Sequence, residues 1–393
     1  MIKVNSNSFN LKGGKTLVGD FEYHGNLTYP FSNSDNILSA IQQSDNKLLV
    51  GGDFITYSGS TVNRIVRMSP DGIQDQSFNT GTGFDFFINT IIQQSDDKLV
   101  AGGGFLAYSG SAANRIVRLN LNGTIDTTFN TGTGFNNTVR TIIQQSDDKL
   151  VVGGDFITYS GSTVNRIVRL NLNGTIDTTF NIGTGFNNTV QTVIQQSDDK
   201  IIVGGNFTTY SGSTANRIVR INPNGTIDTT FNTGTGFNFE PYSIAEQSNN
   251  TLVVIGDFTT YSGSANNYIV RINPNGTIDT TFNTGTGFAG GSGPPIVIYQ
   301  QPDKKLIVGG FFRRYNSVSD NALGIVRLNP DGTNDLTFNS IKGFDPDAGI
   351  YSFIQQPNKK LIVGGFFSSY SGSLANGLIS LDEDNTITKK RIN

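Results

Sequence analysis

Cysteine is absent from this 393-residue chain, so no disulfide framework, thiolate metal site or thiol nucleophile can be built from it. Histidine occurs once, at His24, and glutamate only at Glu22, Glu240, Glu246 and Glu383, which leaves few groups for metal ligation or acid–base chemistry. No apolar run approaches the ~20 residues of a membrane span, so membrane insertion is not expected. The opening "MIKVNSNSFNLKGGK" lacks the hydrophobic core of a signal peptide. Charge is sparse and balanced: 15% of residues are charged and the net charge is −3, against the basic surface that nucleic acid or an anionic membrane selects.

What is abundant points to short strands joined by tight turns. The chain holds 47 glycines, many Asn, Ser and Thr, and Val/Ile/Phe clusters, with 36% hydrophobic residues, too apolar for disorder. Aligned on itself, it repeats. The second glycine of each "GG" pair, or its equivalent, falls at Gly52, Gly103, Gly154, Gly205, Gly256, Gly310 and Gly365, spaced by 51 residues four times and then by 54 and 55. Seven units therefore run from about Ile37 to the end, and residues 1–36 are left over as an N-terminal extension, an anchor or a partial blade.

Each unit reads as four strands. In the third, "TVRTIIQQ" ends in the polar turn "SDDK", "KLVVGGDF" runs into the loop "ITYSGSTVN", and "RIVRLNL" turns at Asn173-Gly174 into "TIDTTFN". Asn-Gly between β-rich runs predicts a type I′ hairpin with both central residues at positive φ. A calcium loop is the competing reading of "NGTIDTTF", but acids are missing upstream of the glycine and no Glu closes the loop. No metal or other cofactor is expected, and a chelator should leave the melting temperature unchanged. A four-stranded unit repeated at roughly 50 residues predicts an all-β, seven-bladed β-propeller over residues 37–393, with the first strands lining the centre and "TIDTTFN" outermost.

The stretches "QQPDKKLIVGGFF" (Gln300–Phe312) and "IVRLNPDGTNDLTFN" (Ile325–Asn339) resemble the delta-60 type of propeller repeat, found in bacterial surface proteins and some viral proteins. The double glycine is also kelch-like, although kelch units carry a tryptophan and this chain has none. The resemblance implies a propeller and no particular activity.

Topology puts the "SDD" and "NG" turns on one face and the "TYSGSTVN" loops with the "TGTGFN" connections on the other. That second face is rich in Tyr, Ser, Gly and Asn, a composition suited to adaptable recognition. One tyrosine recurs in each loop, at Tyr57, Tyr108, Tyr159, Tyr210, Tyr261, Tyr315 and Tyr370. These are candidate stacking platforms for a ligand; packing between blades with the hydroxyl tied to backbone is the alternative, and presence in every copy weighs toward it. Arg313 and Arg314 replace small residues beside one of these tyrosines and are further binding candidates. The recurring arginines (Arg169 in the third unit) and aspartates (Asp177) predict ion pairs inside each blade. Glu240 and Glu246 are the single arrangement resembling a glycosidase pair.

These features predict a non-enzymatic structural or recognition protein with no catalytic residues. A virion component is expected, a head or tail fibre or decoration protein, since no export signal is visible. Its partners would be neighbouring structural proteins, copies of itself, or a host-surface glycan or protein. A bacterial cell-surface adhesion or carbohydrate-binding module is the alternative, with an extracellular location, and a glycoside-cleaving propeller stands last.

Overall fold

The computed structural model describes residues 31–32, 34–70, 72–317, 320, 322–338 and 343–386. The extension up to residue 30, with His24, and the closing stretch 387–393 lie outside the described residues. The rest is an all-β, seven-bladed propeller. In the third unit the first strand, Val139–Gln144, pairs antiparallel with Leu150–Gly154, which pairs in turn with Ile167–Leu170. The second and third strands are buried along their whole length, as short continuous β-branched runs predict. The first strands, among them Asn36–Gln42, Ile88–Gln93, Val190–Gln195 and Gly349–Gln355, stand side by side around the centre, and that of the first unit lies against that of the seventh. No sheet of the ring is left without neighbours in the circle.

The turns differ from expectation in one respect. The Asn171 N–H donates to the Thr175 carbonyl at 2.8 Å and the Gly174 N–H to the Asn171 carbonyl at 2.9 Å, while only Gly174 (φ +86°) is left-handed. This is a type I turn closed by a glycine bulge, not a type I′ turn. The Asn173 side chain explains why: its Oδ1 accepts the N–H and the hydroxyl of Thr175, at 3.1 and 2.7 Å, which holds Asn173 in the ordinary region. The "SDD" turns are built the same way, with Asp148 (φ 65°) in the glycine's place.

The expected fourth strand is a second correction. "TIDTTFN" contributes a single bridge, Leu170 to Ile176, and then turns away. Asp177 causes the turn: its Oδ1 accepts the Thr179 N–H at 3.0 Å and hydroxyl at 2.7 Å, and its carbonyl accepts the Phe180 N–H at 3.2 Å. The chain then crosses to the next unit, where the Asn181 N–H meets the Asn224 carbonyl at 2.7 Å. The long loop holds structure of its own, a hairpin of Thr158–Tyr159 with Ser162–Thr163.

The double glycine has two separate jobs. A Cβ at Gly153 would strike the Val190 side chain of the next unit at 2.5 Å. A Cβ at Gly154 would lie 2.3 Å from the Thr138 carbonyl oxygen of the adjacent first strand. That close approach accompanies a β-bulge between Val139 and Thr141 that leaves Arg140 out of register. The same shift occurs in all seven first strands, at Leu38, Asn89, Arg140, Gln191, Tyr242, Ile296 and Tyr351.

Ring closure uses the residue just ahead of the first unit. Elsewhere a connection phenylalanine packs on the next blade, as Phe135 does 4.2 Å from Phe156 and 4.4 Å from Tyr159, centroid to centroid. At the seam Phe31 takes that place, 5.0 Å from both Phe54 and Tyr57, and its carbonyl accepts the Asn376 side-chain N–H at 3.1 Å. Phe31 therefore sits inside the seam between the seventh and first blades.

Candidate functional site

The tyrosines of the long loops present no face to a ligand. All seven are buried, and each hydroxyl donates to a carbonyl of its own blade: Tyr108 to Gly123, Tyr159 to Gly174, Tyr210 to Gly225 and Tyr261 to Gly276 at 2.6 Å, and Tyr57 to Gly72, Tyr315 to Gly332 and Tyr370 to Asn385 at 2.5 Å. Burial pushes the phenols of Tyr108, Tyr159, Tyr210, Tyr261, Tyr315 and Tyr370 above their ordinary range. They are struts between the loop hairpin and the Asn-Gly turn. Arg313 and Arg314 are both engaged by Asp320, at 2.8 and 3.2 Å, and form a local ion cluster at the surface.

The repeated arginines and aspartates pair inside each blade, Arg169 Nε to Asp177 Oδ2 at 2.7 Å. Burial opposes ionisation of Asp177, but hydrogen bonds from Thr179 and Lys149 and the charge of Arg169 outweigh it and hold the carboxyl well below the usual range. The guanidinium also lies 4.6 Å over the Phe180 ring and donates through Nη1 to the Pro223 carbonyl of the next unit at 2.6 Å. That inter-blade bond recurs from Arg118 to Leu172 and from Arg220 to Pro274. Sequence spacing showed the pair but not the reach into the next blade. The seventh blade has Ser380 where the others have arginine.

Glu240 and Glu246 lie at opposite ends of one extended strand, Pro241–Glu246, roughly 20 Å apart by strand rise. Paired glycosidase carboxyls need about 5 to 9.5 Å, so the two cannot act on one bond.

Glu240 instead belongs to a different constellation. The bulge residues and the ends of the second strands converge at the long-looped mouth of the central channel, and there the units differ. Leu38, Tyr242, Ile296 and Tyr351 form one buried cluster, with half-buried Phe87, Phe311 and Phe366 packed on it. Four different blades meet in that cluster, which places these side chains at the axis. Phe311 and Tyr351 sit edge to face at 5.9 Å, and burial pushes the Tyr351 phenol up to about 12, so it stays protonated and able to donate.

The opposite arc is polar. Arg140 pairs with Asp155 at 2.7 Å, and Asp155 also accepts the Thr189 hydroxyl at 2.7 Å. The Gln191 amide donates to Glu240 at 3.3 Å, the Tyr242 hydroxyl to the same carboxylate at 3.4 Å, and the Glu240 carbonyl accepts the Asp257 N–H at 2.9 Å. Phe239, next to Glu240, and Phe86, next to Phe87 of the aromatic cluster, stand exposed at 56% and 51%. The mouth thus has an aromatic side and a hydrogen-bonding side. Sequence reading missed it, although one signal was present: immediately before "TII" and its equivalents, the repeat alignment reads Leu, Asn, Arg, Gln, Tyr, Ile, Tyr across the units. Among the described residues no cluster of His, Asp and Glu could hold a metal ion.

Seven stretches of the chain, residues 43–78, 94–129, 145–180, 196–231, 247–282, 301–338 and 356–386, match a family model described as a domain of unknown function (DUF5122) beta-propeller. No curated protein matches the chain. Among solved structures, the WD40 beta-propeller domain of Doa1 is 14% identical with a TM-score of 0.54, covering 86% of this chain and 94% of that one. The extracellular domain of a putative one component system, BT4673 from B. thetaiotaomicron, is 17% identical with a TM-score of 0.51; the match covers 90% of this chain and 40% of that one. Virginiamycin B lyase from Staphylococcus aureus is 16% identical over 78% of this chain and 85% of its own, with a TM-score of 0.47. At these identities the likeness is one of fold alone.

Proposed function

The chain belongs to the DUF5122 beta-propeller family, and from that premise we propose that it is a non-enzymatic recognition module whose ligand sits at the mouth of the central channel. The observation that carries this reading is how difference is distributed among the units. The tyrosine struts and the Arg–Asp pairs recur with like partners around the ring and serve its cohesion. Groups copied around a ring see similar surroundings, so none is singled out for chemistry. The bulge side chains are the reverse case, a different residue type in nearly every blade, as the lining of a site for one asymmetric ligand requires.

The setting we propose is a virion, in which the ring acts as a head or tail fibre or decoration protein for assembly or host-surface attachment. A bacterial cell surface is the second setting for the same adhesive role. Balanced charge suits a protein displayed at high density without self-aggregation. Two measurements test the reading. Mass spectrometry of purified native particles and of cell-envelope fractions should find the chain in one of them; confinement to the cytosol would overturn both settings. Fluorescently labelled ring should bind host cells and lose that binding in an Arg140→Met/Gln191→Leu variant with an unchanged melting curve. Binding that survives the double substitution would move recognition away from the mouth.

A further inference from the structure

Asparagine is a chemically labile residue, most of all before glycine, where no side chain hinders attack on its amide. Four blades carry Asn-Gly in the turn after the third strand, at Asn122, Asn173, Asn224 and Asn275. In deamidation the glycine backbone nitrogen loses its proton and attacks the asparagine Cγ. A C–N bond forms, and the side-chain nitrogen leaves as ammonia. Water then opens the five-membered imide at one carbonyl or the other, giving aspartate or isoaspartate. We propose that these four turns are deamidation sites kept silent by the ring, each reacting only when its own turn comes apart.

Lack of solvent is not what protects them, because all four asparagines are exposed. Their geometry is. The peptide joining Asn173 to Gly174 is held at both ends: its N–H donates to the Asn171 carbonyl at 2.9 Å, and its carbonyl accepts the Asn130 N–H of the preceding unit at 2.7 Å. Closing the imide requires that peptide to turn until its nitrogen meets Cγ, which breaks both bonds. The attacked side chain is fixed too, since Asn173 Oδ1 accepts the Thr175 N–H and hydroxyl at 3.1 and 2.7 Å. The next carbonyl, that of Gly174, is pinned by the Tyr159 hydroxyl at 2.6 Å, and Gly174 itself is buried. The same partners recur around Asn122, Asn224 and Asn275.

The sixth unit shows what the reaction would leave behind. Asp331-Gly332 takes the place of Asn-Gly there, and Asp331 Oδ1 accepts the Thr333 N–H and hydroxyl at 3.0 and 2.7 Å. Aspartate therefore fits the turn. Isoaspartate adds a backbone atom inside it and throws the bond from Asn130, which joins two blades, out of register. Silencing the reaction thus preserves a link between neighbouring units.

The test incubates the full chain in warm, mildly alkaline buffer beside a synthetic peptide of residues 171–180, and follows aspartate and isoaspartate by peptide mass mapping. The four sites in the folded chain should react about a hundredfold more slowly than the peptide, as the joint opening of several hydrogen bonds requires. Thr175→Val removes the hydroxyl donor, and Tyr159→Phe removes the carbonyl pin. Each should speed the reaction at Asn173 about fivefold, while Asn122, Asn224 and Asn275 in the same molecule keep the parent rate. Those three turns control for a general loss of stability, and melting curves check that both variants fold. Equal rates in the folded chain and the peptide would overturn the inference. So would a rate at Asn173 that neither substitution changes, or an acceleration that both substitutions spread equally over all four turns.

Discussion

At the scale of the residue, the side chains repeated most faithfully hold the ring together. The Tyr159 hydroxyl spans from the loop hairpin to the Gly174 carbonyl at 2.6 Å in a buried setting. Tyr159→Phe should therefore cost about 1–2 kcal/mol in urea unfolding, since it leaves a buried carbonyl unpaired. The ionisable repeats also predict a stability profile. Asp75, Asp126, Asp177, Asp228 and Asp335 all titrate below the ordinary 3.8 when folded. Their contribution is complete above the unfolded value and is lost as pH falls toward the folded ones, so stability should decline from about pH 5 downward. The buried tyrosines are shifted the other way, above 10.0. The unfolded chain then loses protons first in alkali, so stability should fall again above about pH 10. Denaturant midpoints across the pH range check this; a midpoint that still rises between about pH 5 and pH 3 would contradict the aspartate term.

At the scale of the element, the second strand decides most of what a blade can do. Its two glycines admit the next blade on one side and the bulged first strand on the other. Gly154→Ala sets a methyl against the Thr138 carbonyl and should cost about 1–3 kcal/mol, read as a lowered urea midpoint. Ser162→Ala, in the exposed tip hairpin, should stay within about 0.5 kcal/mol of the parent chain. Three elements of the unit were legible from β-branched runs and turn dipeptides. The fourth was misread because alternation in "TIDTTFN" looks like a strand, whereas the Asp177 side chain captures the backbone and turns it. Local side-chain capture of this kind leaves no period in the sequence.

At the scale of the whole molecule, the seam between the last and first blades is the ring's distinctive joint. Six junctions are continuous chain; at the seventh the blades are joined by Phe31, the Asn376 bond and one cluster uniting Ile37 and Val50 with Ile362 and Leu378, with Ser380 where an arginine clamp stands elsewhere. Phe31→Ala should cost about 3–5 kcal/mol, and amide exchange in the first and seventh blades should rise before the others. Removing residues 1–30 should leave a cooperatively unfolding ring, because the seven repeats already supply a closed core. Failure of that truncation to fold would mean that the leading segment completes the joint itself.

The sequence by itself determined the number of blades, the order of strands in each and the positions of the turns, because these depend on contacts within one unit of about 51 residues and recur seven times. It also contained the Arg–Asp pairs, eight residues apart across one turn. Only the closed ring decided the rest. The tyrosine loops look like a binding surface until the hairpin folds them against their own blades. Arg140, Gln191, Tyr242 and Tyr351 are unremarkable strand residues until bulging turns them inward and closure brings them to one axis. The Phe31–Asn376 bond joins residues 345 apart. A channel mouth is made by seven strands at once, and no single stretch of chain carries its pattern.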